Sequence, residues 1–582
     1  MIPGGVLFLT WVLTISTLVV STMLSSVPTV SLTGLGYEAG TTTVLVLFFV
    51  LLLISSIILQ KKGRLLILYM LIVTSSFIVF LFELINILGG GSLLSETETL
   101  IGNSFNLAIF AGFVVVLTLT IVTNPLFGKI LRLFSSAVLA LALIILALLS
   151  FKLTWVTVAV FSFIALFSHK FIVLSSTKTS VIGSLSKTAT LVLVIAVFFI
   201  SFGGTVTNIT SKVFNISPVT DIRPTWVQTY TILSNTSIKD TKSSLFGSGP
   251  NTFSYQWDRY KPISSNSSPF WRVTPEMGWG FLPTLVVTTG LLGIFVLATF
   301  IYVLFSNGLR TLFVQMRNNE DSYFLASAIL CSLYGWLWAL LYPINVVILM
   351  LIAVTNGGLL ALLIQRNKIP TFPLGRIFEF RRLFMMFVVV SVLCGVWGLY
   401  KVANRFVSIV YYEKTLVSAN QAGGVSNAEK YALKALEYSN QASFYRTLSE
   451  IQQEQMRVLL SQRGELSSKE LQKNFEELEL KSRENARRAT QLDKENYLNW
   501  VVFGNHYFNL VYFSIPEAHT EGDLNYEIAA KLNPNNPVIP FLRARLALSG
   551  KDIPKAVSFL ERAVLLKPDY VEARTLLSQL RT

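Results

Sequence analysis

Between residues 207 and 279 lies a polar stretch whose residue types could hold an anionic headgroup and a sugar. It contains Asp221-Ile222-Arg223-Pro224-Thr225-Trp226, then Leu245-Phe246-Gly247-Ser248-Gly249-Pro250-Asn251-Thr252-Phe253. Further on come Trp257, Asp258, Arg259, Tyr260, Lys261, Asn266, Phe270, Trp271, Arg272 and Glu276. Guanidinium forks bind phosphate oxygens in pairs, and Trp and Tyr faces stack on sugar rings. Arg223, Arg259, Lys261 and Arg272 are therefore candidate binders of a diphosphate, with Trp226 close to the first. Gly247-Ser248-Gly249-Pro250 makes a tight turn whose N–H groups can cradle an oxyanion, although a glycine pair before proline also serves simply as a turn. Glu276 and Asp258 are carboxylates able to accept the proton of an acceptor hydroxyl if correctly placed. The competing reading of Glu276 is a solvated charge at the edge of a span, and of each aromatic an anchor at a membrane interface.

The elements that must position these side chains are apolar. The chain has 582 residues, 52% hydrophobic and 14% charged, with a mean hydropathy of +0.59. That is too little charge to cover a soluble protein of this length. Runs of about 20 apolar residues, enough to cross a bilayer, fall near 6–26, 43–60, 65–88, 107–125, 130–150, 153–175, 188–206, 280–306, 323–341, 344–364 and 384–403. The first matches a signal peptide in length but lacks a basic start and an obvious cleavage site, so a retained span is expected.

With the N-terminus cytoplasmic, the inside connections hold Lys61, Lys62 and Arg64, then Lys129 and Arg132, then Lys170, Lys178 and Lys187. Arg310 and Arg317 follow, and then Arg366 through Arg382. The outside connection 89–106 holds Glu96 and Glu98 and no basic residue, as the positive-inside rule asks. Loop 207–279 and the tail are then extracytoplasmic. Basic residues abutting spans account for much of the formal net charge of +15, and no nucleic-acid partner is expected. Cys331 and Cys394 lie in apolar segments and read as small buried hydrophobes. Glu83, near the outer end of the third run, reads as facing water.

Beyond Ala403 charge is spread throughout, which divides a membrane domain, 1–403, from a polar domain, 404–582. Two tail segments match closely: Tyr526-x-x-Ala529-x-x-Leu532-Asn533-Pro534 and Leu560-x-x-Ala563-x-x-Leu566-Lys567-Pro568. Their leucines stand 34 residues apart, the tetratricopeptide period. Ala486-x-x-Ala489-x-x-Leu492-Asp493 is a weaker copy, and Ala432-x-x-Ala435-Leu436 an atypical one. Such a domain offers a concave surface to a protein or glycan partner, or else serves as a rigid stand.

The order Arg223-x-x-Trp226, Gly247-x-Gly249-Pro250-x-x-Phe253 and Gly290-Leu291-Leu292-Gly293 resembles the central loop of the O-antigen ligase and polymerase superfamily, some of whose members append tetratricopeptide repeats. The resemblance implies an all-α, GT-C-like polytopic bundle, here of about eleven spans, plus a soluble helical repeat domain. It implies transfer of a glycan from an undecaprenyl-pyrophosphate carrier to an acceptor at the outer face of a prokaryotic cytoplasmic membrane, with no metal or other cofactor. Arg223 corresponds to the arginine that contacts the pyrophosphate, and Arg259 or Arg272 to a second one. Gly247 and Gly249 match the family's glycine turn. The family's histidine, about eleven residues before the glycine of Gly-Leu-Leu-Gly, is replaced by Trp279, followed by Gly280. His169, His506 and His519 are the only histidines, and none lies in the loop.

The alternative is a non-catalytic, membrane-anchored repeat scaffold for envelope assembly. Four Asn-x-Ser/Thr triplets, at Asn208, Asn215, Asn235 and Asn266, read as solvated loop chemistry. No phosphate-loop or dinucleotide motif and no metal-spaced His/Asp/Glu cluster occurs.

Overall fold

The computed structural model describes residues 2–88, 98–123, 127–174, 187–214, 221–315, 321–372, 381–421, 423–461, 468–511, 513, 515 and 517–581. Glu96, Lys178, Asn215, Arg317 and Arg376 fall outside them, as do the side chains of His169, Lys170, Arg381, Arg382 and Cys394. Contacts divide the chain into two compact units. One comprises Met1–Ser21, Glu38–Pro224 and Met277–Glu379, and the other Thr22–Tyr37, Thr225–Glu276 and Phe380–Thr582. This grouping differs from the division at 403/404 read from charge. Charge patterning reports which segments meet water, whereas the units record which segments pack together, and Thr225–Glu276 packs with the tail.

The first unit is a helix bundle. Eight described helices are long and apolar enough to cross a membrane: Gly5–Leu24, Lys62–Ile87, Ser104–Val122, Lys129–Leu149, Lys187–Ile209, Phe281–Phe313, Tyr323–Leu341 and Val346–Gln365. Thr42–Ile58 and Lys152–Leu166 are apolar but shorter. The run near 384–403 falls within helix Arg381–Ala419. Ser104–Val122 is enclosed on nearly every side, and Tyr323–Leu341 and Val346–Gln365 mostly so. Outward positions such as Ile130, Leu133 and Phe295 are exposed and apolar, a surface that is stable facing lipid rather than water. The chain is a multi-pass membrane protein.

Two sequence expectations differ in detail here. The run expected at 280–306 is not one straight helix: Gly290, in Gly290-Leu291-Leu292-Gly293, takes a φ of 72° and kinks Phe281–Gln315. A left-handed residue of this kind interrupts the helix without ending it. Glu83 is buried rather than water-facing, and its Oε1 accepts a hydrogen bond from the Leu100 N–H at 2.6 Å.

In the second unit the tail forms successive helices. They are Val425–Tyr438, Ala442–Ser461, Ser468–Leu492, Tyr497–Val511, Ala518–Leu532, Val538–Ser549, Ile553–Leu566 and Val571–Arg581, preceded by Arg381–Ala419. Each packs on the next, and Tyr497–Val511 also touches the helices two before and two after it. That is the neighbour pattern of stacked helical hairpins. The alanines of all four sequence copies, Ala432, Ala435, Ala486, Ala489, Ala529 and Ala563, are fully buried where paired helices meet. At Gly504 a Cβ would stand 2.5 Å from the Tyr526 ring, so that pair requires glycine.

Candidate functional site

In the membrane unit the sequence candidates reduce to Arg223. Its guanidinium lies between two aromatic rings, 4.0 Å from the Trp279 centroid and 4.7 Å from that of Tyr342. Nε donates to Asp221 Oδ2 at 2.8 Å, and Nη1 donates to the carbonyl of Trp279 at 2.9 Å and to that of Leu341. Asp221 also accepts from the Arg223 backbone N–H. Nη2 has no hydrogen bond among the described residues. The arginine side chain is 11% exposed and the Asp221 side chain 32% exposed.

This seat is built from two chain turns. Phe281 opens one helix, and its N–H donates to the Tyr342 carbonyl at 3.1 Å. Leu341 closes another helix. Gly280 lies so close that a Cβ there would overlap the Leu340 carbonyl. The Tyr342 ring packs against those of Phe105, Phe151 and Trp338. Asn345 caps the next helix and bonds back to the Ile101 carbonyl. Gly280→Ala is expected to push the turns apart, at a cost of about 1–3 kcal/mol. The check is the midpoint of heat-induced unfolding in detergent, which should fall.

The remaining loop candidates belong to the second unit. There they meet the turns that follow the repeat leucines. Tyr255 Oη donates to Asp493 at 2.7 Å, and Arg259 pairs with Glu495 at 2.7 Å. Asn533 Nδ2 donates to Asp258 Oδ1 at 3.1 Å, beside a 2.9 Å bond from Thr274 Oγ1. Asn535 Nδ2 donates to the Lys261 carbonyl at 2.9 Å. Asn266, buried and not solvated as expected, donates from Nδ2 to the carbonyls of Asn535 and Leu566 at 2.8 and 3.0 Å. Lys567 Nζ donates to the Asn266 carbonyl at 2.8 Å. Trp271 meets Tyr570 edge-on, and the exposed Arg272 guanidinium lies 4.7 Å from the Trp271 centroid. One loop thus bonds to three successive repeat turns.

Gly247 and Gly249 take φ values of 70° and 110°, where a side chain would be strained. Gly247 ends helix Thr241–Phe246. A Cβ on Gly249 would overlap Ser25. The turn is packed against protein on that side. Trp226 is exposed at the start of a capped helix, Trp226–Ser237. Glu276 is exposed as well. The structure therefore seats Arg223 in one unit and the other loop candidates in the other.

Burial pushes the Asp258 carboxyl up to about 7, against the opposing pull of the Thr274 hydrogen bond and the Lys261 charge. Burial pushes the Lys261 ammonium down, opposed by Asp258. A raised carboxyl binds a proton more readily in the folded state. Its contribution to stability is greatest below the unfolded value near 4 and declines as pH rises toward 7. Asp258→Asn removes that dependence, because the amide oxygen of the new side chain can still accept both bonds. Thermal unfolding from pH 4 to pH 8 should show a flatter profile for the variant, with a higher midpoint than wild type at pH 8.

Sequence reasoning overlooked Asp221, Tyr342 and the repeat-turn partners. Asp221 stands two residues before Arg223, a spacing at which Asp commonly bonds to the following backbone, so a local signal existed. Tyr342 had none, because its role depends on a helix end remote in sequence. No group of three or more His, Cys, Asp or Glu arranged to hold a metal occurs among the described residues. Compared with known proteins, the chain matches no family model and no curated protein.

Proposed function

We propose that this chain binds the diphosphate of a lipid-linked glycan at the extracytoplasmic face of a cytoplasmic membrane and takes part in transferring the glycan to an acceptor. The supporting observation is the stacking of Trp279 on Arg223, two residues 56 apart in sequence. They occupy the two positions that the resemblance to O-antigen ligases and polymerases singles out, the family histidine and the pyrophosphate arginine. Bringing both to one point is what a shared site requires. An indole has no basic nitrogen, so Trp279 serves here to hold the guanidinium flat while Nη2 faces an anionic oxygen. Glu276, three residues earlier in the chain, is the candidate base in place of the histidine. The stacked hairpins act as a tetratricopeptide-like domain that recruits or orients the acceptor.

One observation favours the scaffold reading: the side chains of Asp258 and Arg259 and the backbone carbonyl of Lys261 are engaged with the repeat turns, and Asp221 already neutralises Arg223. The two readings separate in proteoliposomes supplied with a glycan on a polyprenyl diphosphate. Transfer by wild type, lost in Glu276→Ala, supports the enzyme with that base. Transfer that persists in Glu276→Ala retains the enzyme and removes the base. Absence of transfer by wild type with every donor leaves the scaffold.

A further inference from the structure

Helix Trp226–Ser237 is built inside out. Its buried face includes Thr229, Ile232 and Thr236, and Ser237 is buried as well where the last turn ends. The opposite face presents Trp226, Val227 and Tyr230 at 53%, 70% and 54% exposure, with Ile238 at 66% just beyond the last turn. At 100° per residue these four fall within one third of the helix circumference. Water would leave this arc costly, since aromatic and branched side chains gain by leaving it. The helix is nevertheless fixed at its start by a reciprocal cap, in which the Gln228 N–H donates to Thr225 Oγ1 and the Thr225 N–H donates to Gln228 Oε1. Its orientation about the chain entering it is set locally.

Chain connectivity identifies what covers the arc. Arg223 is pinned by Nη1 to carbonyls at the mouth of two spanning helices, beginning at Phe281 and ending at Leu341. Trp226 follows by three residues, so at most about 11 Å of chain separates the two Cα atoms. The arc therefore begins close to the level where spanning helices leave the hydrocarbon. Trp and Tyr concentrate at that level, with the apolar ring in lipid and the polar edge in the headgroup layer.

From this the geometry points to a lipid-contact surface: Trp226, Val227 and Tyr230 lie in the interfacial layer of the membrane that the bundle crosses, so that this helix rests on the bilayer. The inference does not depend on the glycan chemistry proposed above. It assigns the exposed Trp226 to lipid rather than to sugar stacking.

Environment-sensitive labels test it on the full-length protein. Cys394→Ser leaves Cys331, which is buried, as the one remaining native cysteine. Val227→Cys or Tyr230→Cys is then labelled with nitrobenzoxadiazole, with exposed Lys242→Cys as the reference site. In proteoliposomes, nitroxides on shallow acyl positions should quench the labels at 227 and 230 several times more than the label at 242. Aqueous iodide should show the reverse order. Equal iodide quenching at all three sites would overturn the inference. So would protection from both quenchers that grows with the protein-to-lipid ratio, which marks a second copy of the chain as the occupant. Testing both 227 and 230 guards against local disruption at either one.

Discussion

Arg223→Ala is expected to reduce binding of a polyprenyl-diphosphate glycan at least tenfold, about 1.4 kcal/mol, and to abolish transfer in any preparation where wild type transfers. The substitution removes the Nη2 donor and the charge that would meet the diphosphate. It also leaves the carbonyls of Trp279 and Leu341 without their shared donor, at about 1–3 kcal/mol for each buried acceptor left unpaired. Lower stability alone is thus no proof of a binding role. Arg223→Lys separates the effects, because it retains the charge but lacks the planar fork that fits between two rings. Equilibrium binding of diphosphate and monophosphate lipids to both variants provides the measurement. If the arginine grips a diphosphate, both variants lose the preference for diphosphate over monophosphate. If it is only a rivet between two turns, Arg223→Lys keeps wild-type lipid binding while its melting midpoint falls.

Asn266→Ala should free the loop from the repeats. Its Nδ2 satisfies two carbonyls, those of Asn535 and Leu566, in a position only 1% exposed. Removing that donor buries two acceptors unpaired, for a total of about 2–6 kcal/mol. The Lys567 bond to the residue 266 carbonyl survives, so loosening rather than unfolding is the expected result. Hydrogen exchange across Phe253–Tyr260 and the segment to Thr274 should accelerate, while amides of helix Ser104–Val122 keep wild-type rates. Unchanged exchange in the loop would show that Arg259–Glu495 and Trp271–Tyr570 suffice to hold it. The same geometry leaves no room for a glycan on Asn266, whose amide nitrogen is already committed twice.

The legible parts of the chain were those in which one side chain's environment repeats with the local backbone period. Helices stand at all eleven expected positions, eight of them long and apolar enough to span among the described residues, because a bilayer demands some 20 consecutive apolar residues whatever lies beside them. The alanines of the four repeat copies are buried as their spacing implies, since a helix period of 3.6 puts them on one face. Arg223 was legible as a residue of interest, but its partners were not.

Sequence alone determined that this protein lives in a membrane, which helices carry its apolar surface, and that its tail is helical. Each of these follows from composition and short-range period. Tertiary structure alone decided what the polar loop touches. A guanidinium, a carboxylate and an asparagine have the same local spacing whether they meet a ligand, a repeat turn or a backbone carbonyl. Only the approach of residues 279 and 342 to Arg223, and of residues 493, 533 and 566 to the loop, separates these outcomes. The physical reason is that most buried polar groups require partners, and those partners come from wherever the chain returns.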